Sequence, residues 1–223
     1  MHEMEYTYYA FRMCVGAYFE VATEDARRLL PDHLQPLEVQ HERSILAITA
    51  FHFTESLCGS YHEVVLAVVV PPMVEPGRPM PKAAFFPFMV GTSTEISRQH
   101  AIDRWHLPHY MSDLDICFEG DDSEVMVRVR DGKDPVLDLT VTNHEFEPVR
   151  NVYNCFTVDT TSRYKVNIFM EAPHAEHEEE RGALKLYEHP MTAGLSIGEV
   201  SEYPFREEWY RGGMQTFEEL ERI

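Results

Sequence analysis

The sequence has 223 residues, of which 44% are hydrophobic and 26% are charged, so it fits one globular domain over residues 1–223. Its 38 acidic and 19 basic residues give a formal net charge of −19. This charge argues against nucleic acid and anionic membrane surfaces as partners, because like charges repel.

The predicted elements are mostly β-strands. An apolar, β-prone segment at 11–22 precedes a short helix at 23–30, with Thr23 as its predicted N-cap and Pro31 as its stop. The clearest further strands are predicted at 44–53, 62–70, 83–92, 113–119, 124–131, 135–142, 164–170 and 183–188. Helical pattern returns at 93–104 and 214–223, and the charged run 174–182 is predicted to be a loop.

The strand pattern also predicts the fold class. Val125, Val127 and Val129 alternate with polar or flexible residues at period two, as in a half-buried antiparallel strand. Turn signals at 120–123 and 131–134 separate neighbouring strands in hairpin fashion. We therefore expect a mostly β protein with a few short α-helices, an antiparallel sheet or barrel whose interior could hold a ligand.

Cysteines and targeting signals restrict the protein class. The four cysteines are dispersed without a Cys-x-x-Cys pair, which predicts reduced core thiols rather than a zinc knuckle or a dithiol redox motif. The N-terminal residues lack a basic segment followed by an apolar one, and no stretch approaches the length of a membrane span. A cytoplasmic location is the resulting expectation.

The segment 104-RWHLPHYMSDLDI-116 is unusual. It holds Trp105, His106, His109 and Tyr110 around a proline, with carboxylates shortly after. These side chains could line a pocket as acid–base groups. A second interpretation is a rigid proline turn whose aromatic rings plug one end of a barrel.

A second candidate is Glu63, which follows a glycine turn and precedes an apolar strand at 64–70. A carboxylate at the edge of such a strand is partly buried if it points inward. Burial would raise its pKa and make it a usable acid or base. If the strand is turned the other way, Glu63 is an ordinary surface residue.

Several segments, taken in order, resemble acetoacetate decarboxylase. TEDARRLLPDHLQPLEV is similar to that family's helix ending in Leu-Leu-Pro, and GSYHE to its Gly-x-Tyr-x-Glu element. WHLPHYMSDLDI lies where the family carries Tyr-Pro-Lys-Lys, and ALKLYEHPMTAGLSIGEV resembles its Leu-x-Leu-[Phe/Tyr]-x-His-x-Met segment.

The resemblance implies a cone-shaped antiparallel β-barrel that assembles into homo-oligomers. It also implies an apolar cavity in which a lysine forms a Schiff base with a β-keto acid. The catalytic lysine falls on His109 and the neighbouring lysine on Tyr110, so both amines are replaced. Arg12 and Glu63 fall on an active-site arginine and glutamate, whereas a further acidic position falls near Ile48.

A Schiff base needs a primary amine, so we expect non-covalent acid–base chemistry on a small carbonyl compound, either a β-keto acid or an enone-like one. The expected reaction is of a lyase or cyclase type, a dehydration, cyclisation or decarboxylation. Arg12 would hold an anion, Glu63 and His109 would move protons, and Tyr110 or His106 would donate to a developing oxyanion. The expected substrate contacts are Trp105, Tyr61 and Phe86. No cofactor and no metal are predicted.

Alternatives to this chemistry remain at the sequence level. The chain could bind a small molecule without catalysis, or use a relocated lysine, Lys82 or Lys165, as its amine. Metal sites are conceivable at His106 and His109 with Asp113 or Asp115, and at His174 and His177 with residues 178–180. Neither metal site is favoured, because the first needs a distant third ligand and the second lies in a charged loop.

Overall fold

A computed structural model describes residues 5–223, and strands dominate it. The strands are β1 (Thr7–Ala22), β2 (Glu38–Gln40), β3 (Arg43–Glu55), β4 (Tyr61–Val70), β5 (Ala83–Thr92), β6 (Asp115–Gly120), β7 (Glu124–Asp131), β8 (Asp134–Thr142), β9 (Glu147–Val158), β10 (Arg163–His177), β11 (Ala183–Leu186), β12 (Arg206–Phe217) and β13 (Glu221–Arg222). The α-helices are α1 (Thr23–Leu29) and α2 (Glu95–Trp105), and short 3₁₀ turns span Pro190–Thr192 and Ile197–Glu199.

Seven strands close into a barrel. Their order is β1-β12-β10-β9-β5-β4-β3, and β3 pairs back onto β1 to complete the ring. Every contact in the ring is antiparallel except the short parallel one between β5 and β9. A second, antiparallel sheet with the order β11-β8-β7-β6 lies outside the ring. The predicted fold class, a mostly β barrel with a few short helices, is confirmed.

The barrel wall separates two buried regions because side chains alternate along each strand. On β4, Glu63 and Val65 face the barrel interior, whereas Val64 and Leu66 pack into the core shared with the second sheet. Val127 of β7 belongs to that outer core. The barrel interior itself is rich in aromatic residues, which include Tyr9, Phe51, Phe53, Trp105, Tyr153 and Tyr210.

Two predictions about helices are wrong. The cap position of α1 is Ala22, and the Thr23 hydroxyl instead bonds the Ser44 hydroxyl at 2.9 Å. The segment 214–223 is not helical, since β12 continues to Phe217 between β1 and β10. Its local pattern suited a helix, but pairing with a strand on each side satisfies its backbone in extended form.

The remaining differences concern one strand that was not predicted and one that is longer than predicted. The strand β9 was not anticipated, and β10 extends to His177, so only the rest of the charged run 174–182 forms a loop.

All four cysteines are free thiols, with Cys14 and Cys155 buried and Cys58 and Cys117 half-buried. Neither helix of the described chain has the length and apolar character needed to cross a bilayer.

Candidate active site

A cavity of about 110 Å³ lies inside the barrel. Much of its wall is apolar, with Phe51, Val65, Phe85 and Ile168 among the lining residues. The polar or titratable groups in the wall are Cys14, Tyr18, Thr49, Glu63, Tyr153, Cys155, Glu208, Tyr210 and Gln215. A small number of polar groups in an apolar cavity is typical of a small-molecule site.

Glu63 provides one of two carboxyl groups in this wall. It lies near the start of β4, opposite Phe51 of β3 and Thr92 of β5. Its carboxyl makes no hydrogen bond or ion pair with any other described residue. Burial raises its pKa from 4.5 to about 8, because a charged carboxylate is poorly solvated there. At neutral pH Glu63 is therefore mainly a neutral acid that can donate a proton.

Glu208 of β12 provides the second carboxyl and has several partners. The Tyr18 hydroxyl donates to its Oε2 at 3.2 Å, and the Tyr153 hydroxyl lies 3.5 Å from the same oxygen. The Lys82 ammonium lies 2.9 Å from Oε1. Burial raises the pKa of Glu208, while Lys82 and the Tyr18 hydrogen bond favour its charged form. The net effect is still a raised pKa, but unlike Glu63, Glu208 has partners that lower it.

Glu63 and Glu208 are separated by two strands of the wall. Along one row of cross-strand pairs, Tyr210 lies beside Cys14, Cys14 beside Phe51, and Phe51 beside Glu63. Both carboxyls contribute to raising the pKa of the Cys14 thiol, after burial, which places this thiol within electrostatic reach of each. The cavity thus has an acidic group on each side of Cys14.

Behind Glu208 lies a charged cluster at the barrel wall. The Lys82 ammonium also pairs with Glu176, and the His174 ring stacks on Tyr210 with centroids 4.1 Å apart. Ligand atoms of His174, Glu176 and Glu208 lie within 4.8 Å of one another. These three side chains could hold a metal ion, but the ammonium of Lys82 already forms ion pairs with both carboxylates.

The structure brings only part of the predicted site together. Glu63 lines the cavity, and Tyr61 lies two residues earlier on the same face of β4, inside the barrel. Trp105 is buried at the end of the barrel, where its Nε1 donates to the Tyr9 hydroxyl at 2.8 Å and its ring packs on Phe217. The interpretation of this segment as an aromatic plug fits Trp105.

Two predicted residues face away from the cavity. Arg12 is exposed and lies in an outer groove with His52 and His62, because a bulge in β1 between Phe11 and Met13 turns it outward. Phe86 packs in the outer core, since its neighbour Phe85 takes the inward position on β5. The expected places of Arg12 and Phe86 at the substrate are therefore corrected.

His109 faces the interior without lining the cavity. It forms a parallel bridge with Val90, which pairs with the cavity residue Val65, so all three side chains share one face of the sheet. Both ring nitrogens are buried without a hydrogen-bond partner among the described residues. Burial lowers the pKa of His109 to about 4, which leaves the ring neutral at neutral pH.

Tyr110 and His106 lie elsewhere. The Tyr110 hydroxyl donates to Asp131 at 2.5 Å, and its ring packs against His189, so it anchors the loop to the second sheet. His106 ends α2 in the left-handed conformation, with its ring 4.8 Å from that of Tyr164. Neither lines the cavity, which corrects their expected role as donors to the substrate.

The two lysines proposed as relocated amines differ in position. Lys165 on β10 is one residue out of phase with the inward-facing Val166, and its ammonium pairs with Glu75 and Glu221 outside the barrel. Lys82 precedes β5 and reaches the carboxylate of Glu208. Of these two, Lys82 alone contacts a residue of the cavity wall.

Sequence reasoning missed the group around Glu208. It was not found because β12 was not predicted as a strand, so no side chain of the segment 206-REEWYRGG-213 was expected to face the barrel interior. Alternation along a strand through Glu208 and Tyr210 would have been the available signal. Tyr18 lay in a predicted strand, but nothing local pairs it with Glu208, which is 190 residues away in sequence.

The comparisons with known proteins support the fold. No protein-family model and no curated protein sequence matches the chain. Among solved structures, the enduracididine biosynthesis enzyme MppR complexed with pyruvate is similar, with 12% identity, a TM-score of 0.65, and coverage of 100% of this chain and 91% of that one.

Two further solved structures have the same fold. Acetoacetate decarboxylase from Legionella pneumophila gives 13% identity and a TM-score of 0.67, covering 97% of this chain and 87% of that one. An acetoacetate decarboxylase-like enzyme from Sphingomonas wittichii RW1 gives 12% and 0.64, covering 98% and 92%. The protein therefore has the fold of acetoacetate decarboxylase and of acetoacetate decarboxylase-like enzymes.

Proposed function

We propose that this protein is an enzyme that transforms a small carbonyl compound by non-covalent acid–base chemistry inside its barrel. The observation that carries the proposal is Glu63, an unpaired carboxyl in a largely apolar cavity wall whose pKa is raised to about 8. Structural carboxyls normally have partners, and a pKa displaced toward neutrality in a cavity is typical of catalytic acids. The solved structures of this fold named above are also of enzymes.

Glu63 supplies the proton in this mechanism. A neutral carboxyl donates a hydrogen bond to the substrate's carbonyl oxygen and stabilises the negative charge that develops there on enolisation. Glu208, whose partners Lys82 and Tyr18 lower its pKa against the effect of burial, is the group that accepts a proton from the adjacent carbon. Because Glu208 has a cationic partner and Glu63 has none, Glu63 is assigned as the general acid and Glu208 as the general base. Enolisation of this kind can begin a dehydration or a cyclisation of a carbonyl compound, which are reactions of the lyase and cyclase type.

His109 contributes as a neutral interior imidazole rather than as a charged acid. Its pKa of about 4 makes it a weak base, and its unpartnered nitrogens lie on the same face as Val65 in the cavity wall. The residues around Glu63 and Glu208 supply the acid, the base and the apolar wall of the proposed reaction.

The direct test is exchange of α-protons for deuterium, followed by nuclear magnetic resonance. 2-Pentanone and 2,4-pentanedione are incubated in D₂O with the wild-type protein, with Glu63→Gln and with Glu55→Gln, an exposed control. We expect the wild-type protein and the control to accelerate exchange, and Glu63→Gln to lose about 10²- to 10⁴-fold of that rate. Exchange by Glu63→Gln at the wild-type rate would remove Glu63 from the mechanism.

A Schiff base on Lys82 is the second candidate, favoured by the contact of its ammonium with Glu208. In this structure the ammonium is paired with two carboxylates, which opposes its use as a neutral nucleophile. Borohydride reduction with 2-pentanone or acetoacetate, followed by mass spectrometry, separates the two mechanisms. An adduct on Lys82 would replace the non-covalent mechanism, and an unmodified protein supports it.

Ligand binding without catalysis is the remaining alternative at the cavity. A binding protein without catalytic activity would bind 2-pentanone. Neither the wild-type protein nor Glu63→Gln would then exchange α-protons faster than D₂O alone. An enzyme loses turnover far more than affinity when Glu63 is replaced. A cytoplasmic location, a homo-oligomeric state and the absence of a cofactor or metal stay predictions.

A further inference from the structure

We infer that the cavity selects uncharged carbonyl compounds of about six non-hydrogen atoms and rejects the carboxylates of the same shape. This inference rests on the proposed function, because it names the substrate class of the same site. It rests on the charges and the volume of the cavity wall.

The wall of the cavity contains no arginine, lysine or histidine from residues 5–223. Its ionisable carboxyls are Glu63 and Glu208, and neither offers an anion a positive charge. Arg12, the residue expected to hold a substrate carboxylate, is exposed on the other side of the barrel wall. An anion in the cavity would therefore lose its hydration without gaining a cationic partner.

The nearest ammonium does not change this balance. Lys82 contacts Glu208 but also pairs with Glu176, so one positive charge faces two carboxylates. The nearby Arg206 is also paired with carboxylates, with Glu176 at 3.4 Å and Glu178 at 2.7 Å. Burying an unpaired carboxylate is strongly unfavourable, whereas a ketone needs one hydrogen-bond donor, which the neutral Glu63 provides.

The volume of the cavity limits the size of the ligand. At about 110 Å³ it is somewhat smaller than an engineered apolar cavity of roughly 150 Å³ that binds benzene. Gly16 contributes to this space, since it lies between Glu208 and Thr49 in the row of cross-strand pairs and has no side chain. A compound of benzene size or slightly smaller is the expected occupant.

Three ligands of nearly identical shape test the inference by binding alone. 2-Pentanone and butyramide are uncharged, whereas butyrate carries a negative charge, and each has about six non-hydrogen atoms. Titrations followed by nuclear magnetic resonance at neutral pH should show both uncharged compounds binding at least about tenfold more tightly than butyrate. Equal or tighter binding of butyrate, or binding of none of the three, would overturn the inference.

Glu208→Gln provides a second, independent measurement. It removes one negative charge from the wall and leaves the Lys82 charge less compensated, so affinity for butyrate should rise several-fold while affinity for 2-pentanone changes little. Glu55→Gln makes the same charge change on the surface and should alter neither affinity. Circular dichroism verifies that both variants are folded, and an unchanged preference in a folded Glu208→Gln would contradict the electrostatic argument.

The outcomes also distinguish this inference from the proposed function. Selective binding of 2-pentanone without α-proton exchange would support the substrate class and overturn the enzyme. Turnover of acetoacetate with a rate comparable to that of 2,4-pentanedione would support the enzyme and overturn the substrate class.

Discussion

Glu207 and Glu208 are adjacent on β12 yet have opposite surroundings. The Glu207 carboxylate is fully buried and accepts hydrogen bonds from the backbone nitrogens of Thr142, Arg181 and Gly182. Its hydrogen bonds tie β12 to the second sheet and to the loop after β10. Glu208 points to the other face of the strand and into the cavity. The alternation of a strand thus assigns one glutamate to structure and the next to the candidate site.

The raised pKa of Glu63 predicts a pH-dependent cost to stability. The folded-state pKa of about 8 exceeds the unfolded value of 4.5, so the unfolded chain ionises first as the pH rises. The free energy of unfolding should therefore fall between pH 4.5 and 8, by up to about 1.4 kcal/mol per pH unit from this group. Urea denaturation across this range should show Glu63→Gln losing less stability than wild type, and an identical slope would contradict the assignment.

The lowered pKa of His109 predicts the opposite behaviour in acid. Its folded-state pKa of about 4 lies below the unfolded value of 6.5. The contribution of neutral His109 to the free energy of unfolding is therefore complete above pH 6.5 and is lost as the pH falls toward 4. His109→Leu removes two unpartnered nitrogens and should flatten this acid loss at little cost at neutral pH. Thermal melts from pH 7 to 4 test this, with the exposed His41→Leu as control. Unchanged acid sensitivity in His109→Leu would refute it.

At the scale of the element, β1 shows how a bulge changes which residues face the cavity. Cys14, Gly16 and Tyr18 line the cavity, while Tyr9 and Phe11 point inward at the other end of the same strand. The inward residues have odd numbers before Arg12 and even numbers after it, so the alternation shifts by one residue around Arg12. If the alternation of Cys14, Gly16 and Tyr18 continued through this position, Arg12 would face the barrel interior, where the resemblance had implied an active-site arginine.

Gly16 and Gly213 should respond differently to alanine. A Cβ on Gly16 would meet its nearest atom, the Thr49 hydroxyl oxygen, at 3.6 Å, whereas a Cβ on Gly213 would meet the Ala172 Cβ and the Glu171 carbonyl oxygen at 2.4 Å. Gly16→Ala should therefore fold normally and narrow the cavity, weakening 2-pentanone binding. Gly213→Ala should lower the free energy of unfolding by about 1–3 kcal/mol through overpacking. Chemical denaturation and ligand titration give both readouts, and equal stabilities would contradict the packing argument.

For the whole molecule, the net charge of −19 predicts a salt dependence of stability. Repulsion among excess carboxylates opposes the compact state, and salt screens it. Raising NaCl from about 10 to about 300 mM at neutral pH should raise the melting temperature. Near the sequence pI of about 4.9 the net charge vanishes and the effect should disappear. A melting temperature independent of salt at neutral pH would contradict this prediction.

The predicted homo-oligomer can be tested at an exposed apolar groove. Tyr8, Leu57 and Met214 line it with 54%, 80% and 38% of their surfaces exposed. If the groove is the contact between subunits, Leu57→Glu should give a smaller species by light scattering. Met80→Glu, at an exposed position outside the groove, should leave the mass unchanged. A monomeric wild-type protein would contradict the oligomer itself.

Local sequence was sufficient for the fold class and for proposing Glu63, which lines the cavity. Period-two alternation in segments such as 124–131 follows from the geometry of a single strand, so it can be read without knowing the partner strand. Glu63 could be proposed because a glycine turn and an apolar strand surround it. The strand β12 could not be predicted from local sequence, because its extended form depends on pairing with β1 and β10.

The sequence by itself determined a mostly β fold and indicated Glu63 as a candidate acid. Tertiary structure alone decided which polar groups share the cavity with that acid. Arg12 was excluded by a bulge that involves the register between β1 and β3, and Glu208 was included by closure of the barrel through β12. Such choices depend on pairing between residues far apart in the chain, and a shift of one residue turns a side chain to the opposite face.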